Sequence, residues 1–315
     1  MQSIQNRALG SLVGSFIGDA LGAQTEFKAA KVVQKEYPEG IWEMDCCSRF
    51  VGRPGEITDD SEMAIMMLIS MLDRGFYSAG VARQAYTVWK DSGPLDIGIT
   101  IFGALEGTYN PHSQANGALM RITPLGIYGS KLSVSSLIRI SDADCAITHT
   151  HQVCKDCNRL FAFALSLAIG KGWTAQEVYD YLCKTASSLS TEPSVLEALH
   201  DAKTKRPEGI DGPNRGWVLI AFQLAFYTLL HAPSFEQGMV DVIMQAGDAD
   251  TNATIYGALA GAFASVEQLP KRWIDALRLS DCAKRLINAP NISLQALART
   301  WVEGLLALPV QQVLY

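Results

Sequence analysis

Histidine is scarce in this chain of 315 residues, with five copies, and charge is thin, with 18% of residues Asp, Glu, Lys or Arg. The 26 basic residues are outnumbered by 32 acidic ones, the formal charge is -6, and no basic patch or charged tail stands out. Nucleic acid is therefore not an expected partner. The chain also lacks a long apolar run. Its opening, "MQSIQNRALGSLVGSFIGDALGA", carries Asp19, has Arg7 as its only early cation and is punctuated by Gly. It reads neither as a secretory signal nor as a membrane span. Seven cysteines, an odd number without framework spacing, favour reduced thiols and a cytoplasmic location. The stretch "HTHQVCKDC" offers His149, His151, Cys154 and Cys157 to zinc, but no second ligand pair follows at finger-like separation. Cys154 and Cys157 fall one turn apart on a helix continuing into "NRLFAFALSLAIG", so core cysteines are the better reading.

Low-complexity linkers, fixed-period repeats, composition shifts and alternating strand patterns are absent as well, which leaves no domain boundary and no sheet to expect. Helical periodicity is what remains. Apolar positions recur at three- and four-residue spacing over 4–21, 59–74, 79–91, 117–128, 158–170, 174–187, 216–231, 235–245 and 252–265. The breaks "SGPLD", "YNPHSQANG", "RPEGIDGPNRG" and "NAPNIS" each precede a helix. With 48% hydrophobic residues the core can be large. The expected architecture is all-α, a single orthogonal helical bundle over residues 1–315.

Against this apolar background, two acidic clusters stand out. "RPGEITDDSEMAIMML" sets Thr58, Asp59, Asp60 and Glu62 at the start of a helix, and "QAGDADTNATIYGALAGAFAS" sets Asp248, Asp250 and Thr251 at the start of another. Carboxylates crowded beside a core resist losing water and repel one another, so they need a cation or strong hydrogen bonds. Helix N-termini attract negative charge, and capping alone is one reading of either cluster. Together the clusters offer four aspartates and two hydroxyls, hard oxygen donors that suit Mg²⁺ or Mn²⁺. The small residues Gly257, Ala258, Ala260, Gly261 and Ala262 permit close approach of a neighbouring helix, for which the first helix, with Gly10, Gly14, Gly18 and Gly22, is the natural candidate.

Five segments, "GSFIGDALGAQTEF", "ITDDSEM", "QANGALMRITPLGIYG", "ITHTH" and "AGDADTNATIYGALAGA", resemble the successive motifs of the ADP-ribosylglycohydrolases, most closely the bacterial branch that includes the dinitrogenase-reductase-activating glycohydrolase. The resemblance runs from about residue 7 to residue 265, in the family's order, and the tail after residue 270 adds no motif. It implies an all-α ADP-ribosylglycohydrolase-type fold with two Mg²⁺ or Mn²⁺ ions, removing ADP-ribose from a modified protein, with arginine as the implied linkage.

Thr58, Asp59, Asp60, Asp248, Asp250 and Thr251 match the family's metal ligands. Glu26, on the loop after the first helix, matches a glutamate that handles water or gates substrate. Asp96, in "GPLDIGIT", aligns with an acidic residue near the reacting sugar. Asn116 and Gly117 match the loop around the diphosphate, His149 the "TH" motif beside the substrate, and Trp217 an aromatic that stacks on adenine. Ser61 replaces a common Thr, Ala246 stands where Gly is usual, and Ile99 replaces an amide of the bacterial relative. The last change bears on substrate preference more than on hydrolysis.

The chemistry of these residue types suits cleavage of an N-glycosidic bond. Its oxocarbenium-like transition state needs an activated water, a hold on the ribose and help for the leaving group. Glu26 or Asp96 can move the proton. A Gly-flanked loop such as 115–118, opening a helix, can present N–H groups to phosphate. Plainer readings stand beside these: Glu26 as a surface residue, Asp96 as the cap of a helix beginning near Ile97, His149 as a core histidine, Trp217 as packing, and Glu62 as support for its own first turn. Two other functions fit part of the pattern. One is an ADP-ribose-binding or toxin-blocking immunity protein against an ADP-ribosyltransferase; retention of all six ligands and Glu26 argues against a purely non-catalytic role. The other is a different two-metal hydrolase such as a phosphoesterase, which usually draws on histidine ligands that this chain lacks near its aspartates.

Overall fold

The computed structural model describes residues 2–46, 48, 52–288 and 292–310, and among them every regular element is a helix, with no β-strand. The α-helices are α1 (Ile4–Gly22), α2 (Ala30–Glu36), α3 (Asp59–Arg74), α4 (Ala79–Asp91), α5 (Ile99–Leu105), α6 (Thr123–Gly129), α7 (Val134–Thr148), α8 (Gln152–Lys171), α9 (Ala175–Leu189), α10 (Pro193–Asp201), α11 (Val218–His231), α12 (Phe235–Ile243), α13 (Ala249–Ala264), α14 (Lys271–Ala276), α15 (Asp281–Ile287) and α16 (Leu294–Ala307). Local signals account for many of the boundaries. Ser3, Ser133, Thr174, Ser234, Ser280 and Ser293 each cap a helix through the side-chain oxygen. Gly75 and Gly172 close α3 and α8 in the left-handed conformation.

The expected pairing of the two small-residue helices is realised, and it sets the geometry of the site. A Cβ on Gly14 would lie 2.3 Å from the Gly257 carbonyl oxygen, and one on Gly257 would lie 2.1 Å from the Gly14 carbonyl oxygen. α1 and α13 therefore touch backbone to backbone, which only residues without a Cβ allow. The pair runs antiparallel: Gly10 meets Gly261 and Gly22 meets Ala249. The C-terminal end of α1 and the loop after it thus lie against the start of α13. Around this pair α8, α11 and α12 bury their apolar faces, with Phe161 of α8 edge-on to Phe226 of α11 at 6.3 Å.

One expected helix is shorter than its periodicity suggests. Residues 117–121 form turns and the helix begins only at Thr123, with Pro124 in its first turn. The apolar spacing over 117–122 reflects burial of a turn rather than one face of a helix. α2, α7, α10, α14 and α15 have no counterpart among the expected segments. The cysteines at 145, 154 and 157 are buried free thiols, with the Cys154 Sγ directed at the Ser113 and Ala115 carbonyls. No zinc-type group of ligands forms there among the described residues. No described helix is long and apolar enough to cross a membrane.

Candidate active site

The α3 cluster is not a set of caps. Thr58 is the N-cap of α3 but makes no side-chain capping bond. The first-turn donors are taken instead by Asp19 of α1, which is fully buried. Its carboxylate accepts from the Thr58 N–H at 3.0 Å, the Ser61 N–H at 3.1 Å and the Thr58 hydroxyl at 2.7 Å. Asp19 thus satisfies the helix end from another element and leaves Asp59 and Asp60 directed elsewhere. In the sequence Asp19 marks only a charge that a membrane span would not carry. The signal that could have found it is its place in "GDALG", the one acid on a helix that is otherwise uncharged after Arg7.

At the start of α13, Asp248 is the N-cap and likewise makes no side-chain capping bond. Its Oδ2 accepts from the Asn116 amide at 2.7 Å. Thr251 donates its hydroxyl to Asp60 Oδ2 at 3.2 Å, tying the two clusters together, and its N–H goes to Asp250 Oδ1 at 2.8 Å. Glu26 arrives from the loop after α1. That loop is pinned to the turn before α13 by the Phe27 N–H donating to the Gly247 carbonyl at 2.6 Å and the Gly247 N–H donating to the Lys28 carbonyl at 3.2 Å. Gly247 has φ of 71° and no room for a Cβ, which would sit 2.1 Å from the Ile210 carbonyl oxygen. Ala246 beside it adopts φ of 57° despite its Cβ, a strained conformation for an L-residue.

A cavity of about 370 Å³ gathers Glu26, Asp59, Asp60, Asp96, Asn116, Gly117, His149, Asp248, Asp250 and Thr251. Six of its lining residues are carboxylates, and no Lys or Arg lines it among the described residues. Thr58 lies just outside, in a second cavity of about 550 Å³ that shares Asp59 and Asp96 with the first. Asp96 does not cap α5, whose N-cap is Gly98. Glu62 turns away: buried, it accepts from Trp89 Nε1 at 2.6 Å and from the Ser280 hydroxyl, locking α3 to α4 and to the start of α15. Trp217 lines neither cavity, and it is no core residue either, being 45% exposed. Its backbone pairs with Ala115, so the loop carrying Asn116 and Gly117 is braced against the start of α11.

Electrostatics follow from this crowding. Burial, then Asp248, Asp96 and Asp59, push the Glu26 carboxyl up to about 9. Burial first, and neighbouring carboxylates next, hold Asp59, Asp60 and Asp250 well above the usual carboxylate range. Asp19 and Asp248 are raised by burial, against the pull of their hydrogen bonds. His149 is pushed down to about 3 by burial and then by Arg121, so its ring is neutral. Two carboxylate oxygens, Glu26 Oε2 and Asp60 Oδ1, are buried without a hydrogen-bond partner among the described residues. Ligand atoms of Glu26, Asp248 and Asp250 lie within 4.8 Å of one another, close enough to share one metal ion. Orphaned hard oxygens and uncompensated negative charge are what a divalent-cation site offers, so the residues fit that group. Glu26, expected to move a proton beside the metals, is also near enough to ligate one.

A sequence profile of the ADP-ribosylglycohydrolases matches residues 1–303. The chain belongs to the ADP-ribosylglycohydrolase family. It is 27% identical over 288 residues to the ADP-ribosyl-[dinitrogen reductase] glycohydrolase of Rhodospirillum rubrum, covering 87% of this chain and 91% of that protein. To the ADP-ribosylarginine hydrolase Tri1 of Pseudomonas putida (strain GB-1) it is 27% identical over 298 residues, covering 89% and 76%. The fold matches a solved ADP-ribosylglycohydrolase-related protein complex with a TM-score of 0.79 at 23% identity, over 98% of this chain and 99% of that one.

Proposed function

We propose that this ADP-ribosylglycohydrolase removes ADP-ribose from ADP-ribosylated protein by hydrolysing the N-glycosidic bond to arginine. The observation that carries the reading is the convergence of six carboxylates on one cavity with no Lys or Arg among the described residues of its walls and with two buried oxygens unpartnered there. The arginine linkage is supported by the likeness to a relative named for that hydrolysis.

Thr58, Asp59, Asp60, Asp248, Asp250 and Thr251 would hold two Mg²⁺ or Mn²⁺ ions, which when bound supply charge compensation, a hold on the ribose diol and acidification of water. Both hydroxyls suit the task, since Thr58 donates its proton to Asp19 and Thr251 to Asp60, leaving oxygen lone pairs available. Glu26 accepts the proton of the attacking water. The bond from the ribose anomeric carbon to the guanidine nitrogen breaks as the bond to the water oxygen forms, Asp96 gives the departing guanidine a proton, and the proton left on Glu26 restores Asp96 through water before the next turnover. Asn116 and Gly117 face the diphosphate, and the exposed Trp217 indole offers adenine a stacking surface. The test is release of ADP-ribose from an ADP-ribosyl-arginine protein with Mg²⁺ or Mn²⁺ present and with EDTA. Release that depends on the metal is expected; binding of ADP-ribose without any release would replace the enzyme by a binding protein.

A further inference from the structure

Beneath the cavity lies a buried polar chain that the proposed chemistry does not use. Arg121, fully buried, donates through Nε to Asp144 Oδ2 at 3.0 Å and through Nη2 to the Asp144 carbonyl at 2.9 Å. The same carboxylate accepts from the Tyr86 hydroxyl at 2.8 Å, and the guanidinium lies 4.6 Å from the Tyr86 ring centroid. The remaining arm, Nη1, donates to the Gly117 carbonyl at 3.2 Å and to Thr148 Oγ1 at 2.9 Å. Thr148 is itself buried, and its hydroxyl lies 2.8 Å from His149 Nδ1. The other ring nitrogen, Nε2, is buried with no partner among the described residues, in a side chain that lines the acid cavity.

Donor and acceptor rules fix the direction of this chain. A guanidinium only donates, so the bond from Arg121 occupies a lone pair of the Thr148 oxygen. The Thr148 hydroxyl hydrogen then needs an acceptor of its own, because a buried donor left unpaired is costly. His149 Nδ1 is the acceptor within reach. Nδ1 must therefore be unprotonated, which puts the ring proton on Nε2.

We infer that Arg121 and Thr148 are positioning residues that fix the His149 tautomer, so that Nε2–H stands as a hydrogen-bond donor to an oxygen of the bound ADP-ribose. This rests on the proposed function for the identity of the ligand. A donor is valuable here because carboxylate walls repel electron-rich substrate oxygens. Gly117 completes the device: a Cβ there would come within 3.2 Å of His149 Cε1 and 2.9 Å of Ile101 Cδ1, so a side chain would crowd the ring.

The test is ¹⁵N–¹H correlation of the His149 ring with Mg²⁺ present, without and then with added ADP-ribose, for wild type, Thr148→Val and Thr148→Ser. The wild type is expected to show the Nε2–H tautomer, with an Nε2–H signal that shifts on ADP-ribose binding. Thr148→Val should populate the other tautomer and bind ADP-ribose roughly 2- to 10-fold more weakly, as loss of one net hydrogen bond implies. Thr148→Ser should restore both. An Nδ1–H tautomer in the wild type overturns the inference even if Thr148→Val fails to fold. So does a valine variant with an unchanged tautomer, or ADP-ribose binding that leaves the Nε2–H signal unmoved. If the wild type bound no ADP-ribose at all, the proposed function and the ligand named here would fall together, while the tautomer spectrum would still decide the role of Arg121 and Thr148.

Discussion

The two aspartate clusters look alike in sequence and are held in opposite ways. At α3 the helix end is closed from outside: Asp19 of α1 takes the Thr58 and Ser61 N–H groups and the Thr58 hydroxyl. At α13 the support is partly internal, with the Asp250 carboxylate accepting the Thr251 N–H, and from outside the Asn116 side chain bonds Asp248. In both, a threonine hydroxyl donates a hydrogen bond to a carboxylate, Thr58 to Asp19 and Thr251 to Asp60. The difference teaches that α3 depends on α1 for its helix end, whereas α13 depends on the loop at 116 for the aim of one side chain. Glu26 stands between them, grouped by distance with the α13 cluster and coupled by charge to both.

The largest expected effect separates that shared residue from the clusters. Glu26→Gln should lower kcat by about 10²–10⁴-fold while ADP-ribose affinity stays near normal, as loss of a proton acceptor implies. Asp248→Asn should weaken ADP-ribose binding as well. Calorimetric titration beside a turnover assay reads the contrast, and equal affinity losses in the two variants would move Glu26 among the ligands.

Asp19→Ala sharpens the difference between the clusters directly. It strands the buried donors of α3 and should cost about 1–3 kcal/mol of stability per unpaired group, with about 10–100-fold weaker metal binding through the misplaced threonine. Asn116→Ala removes one bond and should cost less in a denaturant melt. An Asp19 variant as stable as wild type, in EDTA and in Mg²⁺ alike, would show that α3 does not need its outside cap.

A pH series tests the crowding common to both clusters. Glu26, Asp59, Asp60 and Asp250 all have folded-state pKa values raised above those of the unfolded chain. The metal-free native state therefore binds more protons than the unfolded state between the two ranges. Its stability is full below about pH 4, the ordinary carboxyl range, and declines as pH rises toward the Glu26 value of about 9. Melting temperatures in EDTA should fall across that window, and millimolar Mg²⁺ should flatten the decline, since a bound cation makes the ionised form favourable. Identical pH profiles with and without Mg²⁺ would count against a cation site.

The smallest effect concerns the turn that carries the α13 cluster. Ala246→Gly relieves a buried alanine at φ of 57° and should raise stability by roughly 0.5–1 kcal/mol, read as a small upward shift in melting temperature.

Much of the fold was legible because its cues are local. Apolar spacing at three and four residues marked α1, α3, α4, α8, α9, α11, α12 and α13, and complementary glycine stripes marked the α1–α13 contact. Short or polar helices such as α2 and α7 were missed because their burial comes from neighbours rather than from a strong stripe of their own. The turn at 117–121 was misread because a buried turn and one helical face have the same apolar content. Within the site, residue types and helix starts were readable, but Glu62 and Trp217 illustrate the limit. The same sequence signal fits a carboxylate aimed at Ser280 or at a metal, and a tryptophan in the core or half in solvent.

The sequence by itself determined that two helices begin with clustered hard oxygen donors and that two others can pack without side chains between them, since both facts depend only on residue type and helical spacing. Tertiary structure alone decided which partners orient those donors. Asp19 reaches Thr58 across 39 positions, Asn116 reaches Asp248 across 132 and Thr251 reaches Asp60 across 191. A hydrogen bond needs atoms within about 3 Å, and no local pattern specifies which distant segments packing will bring that close.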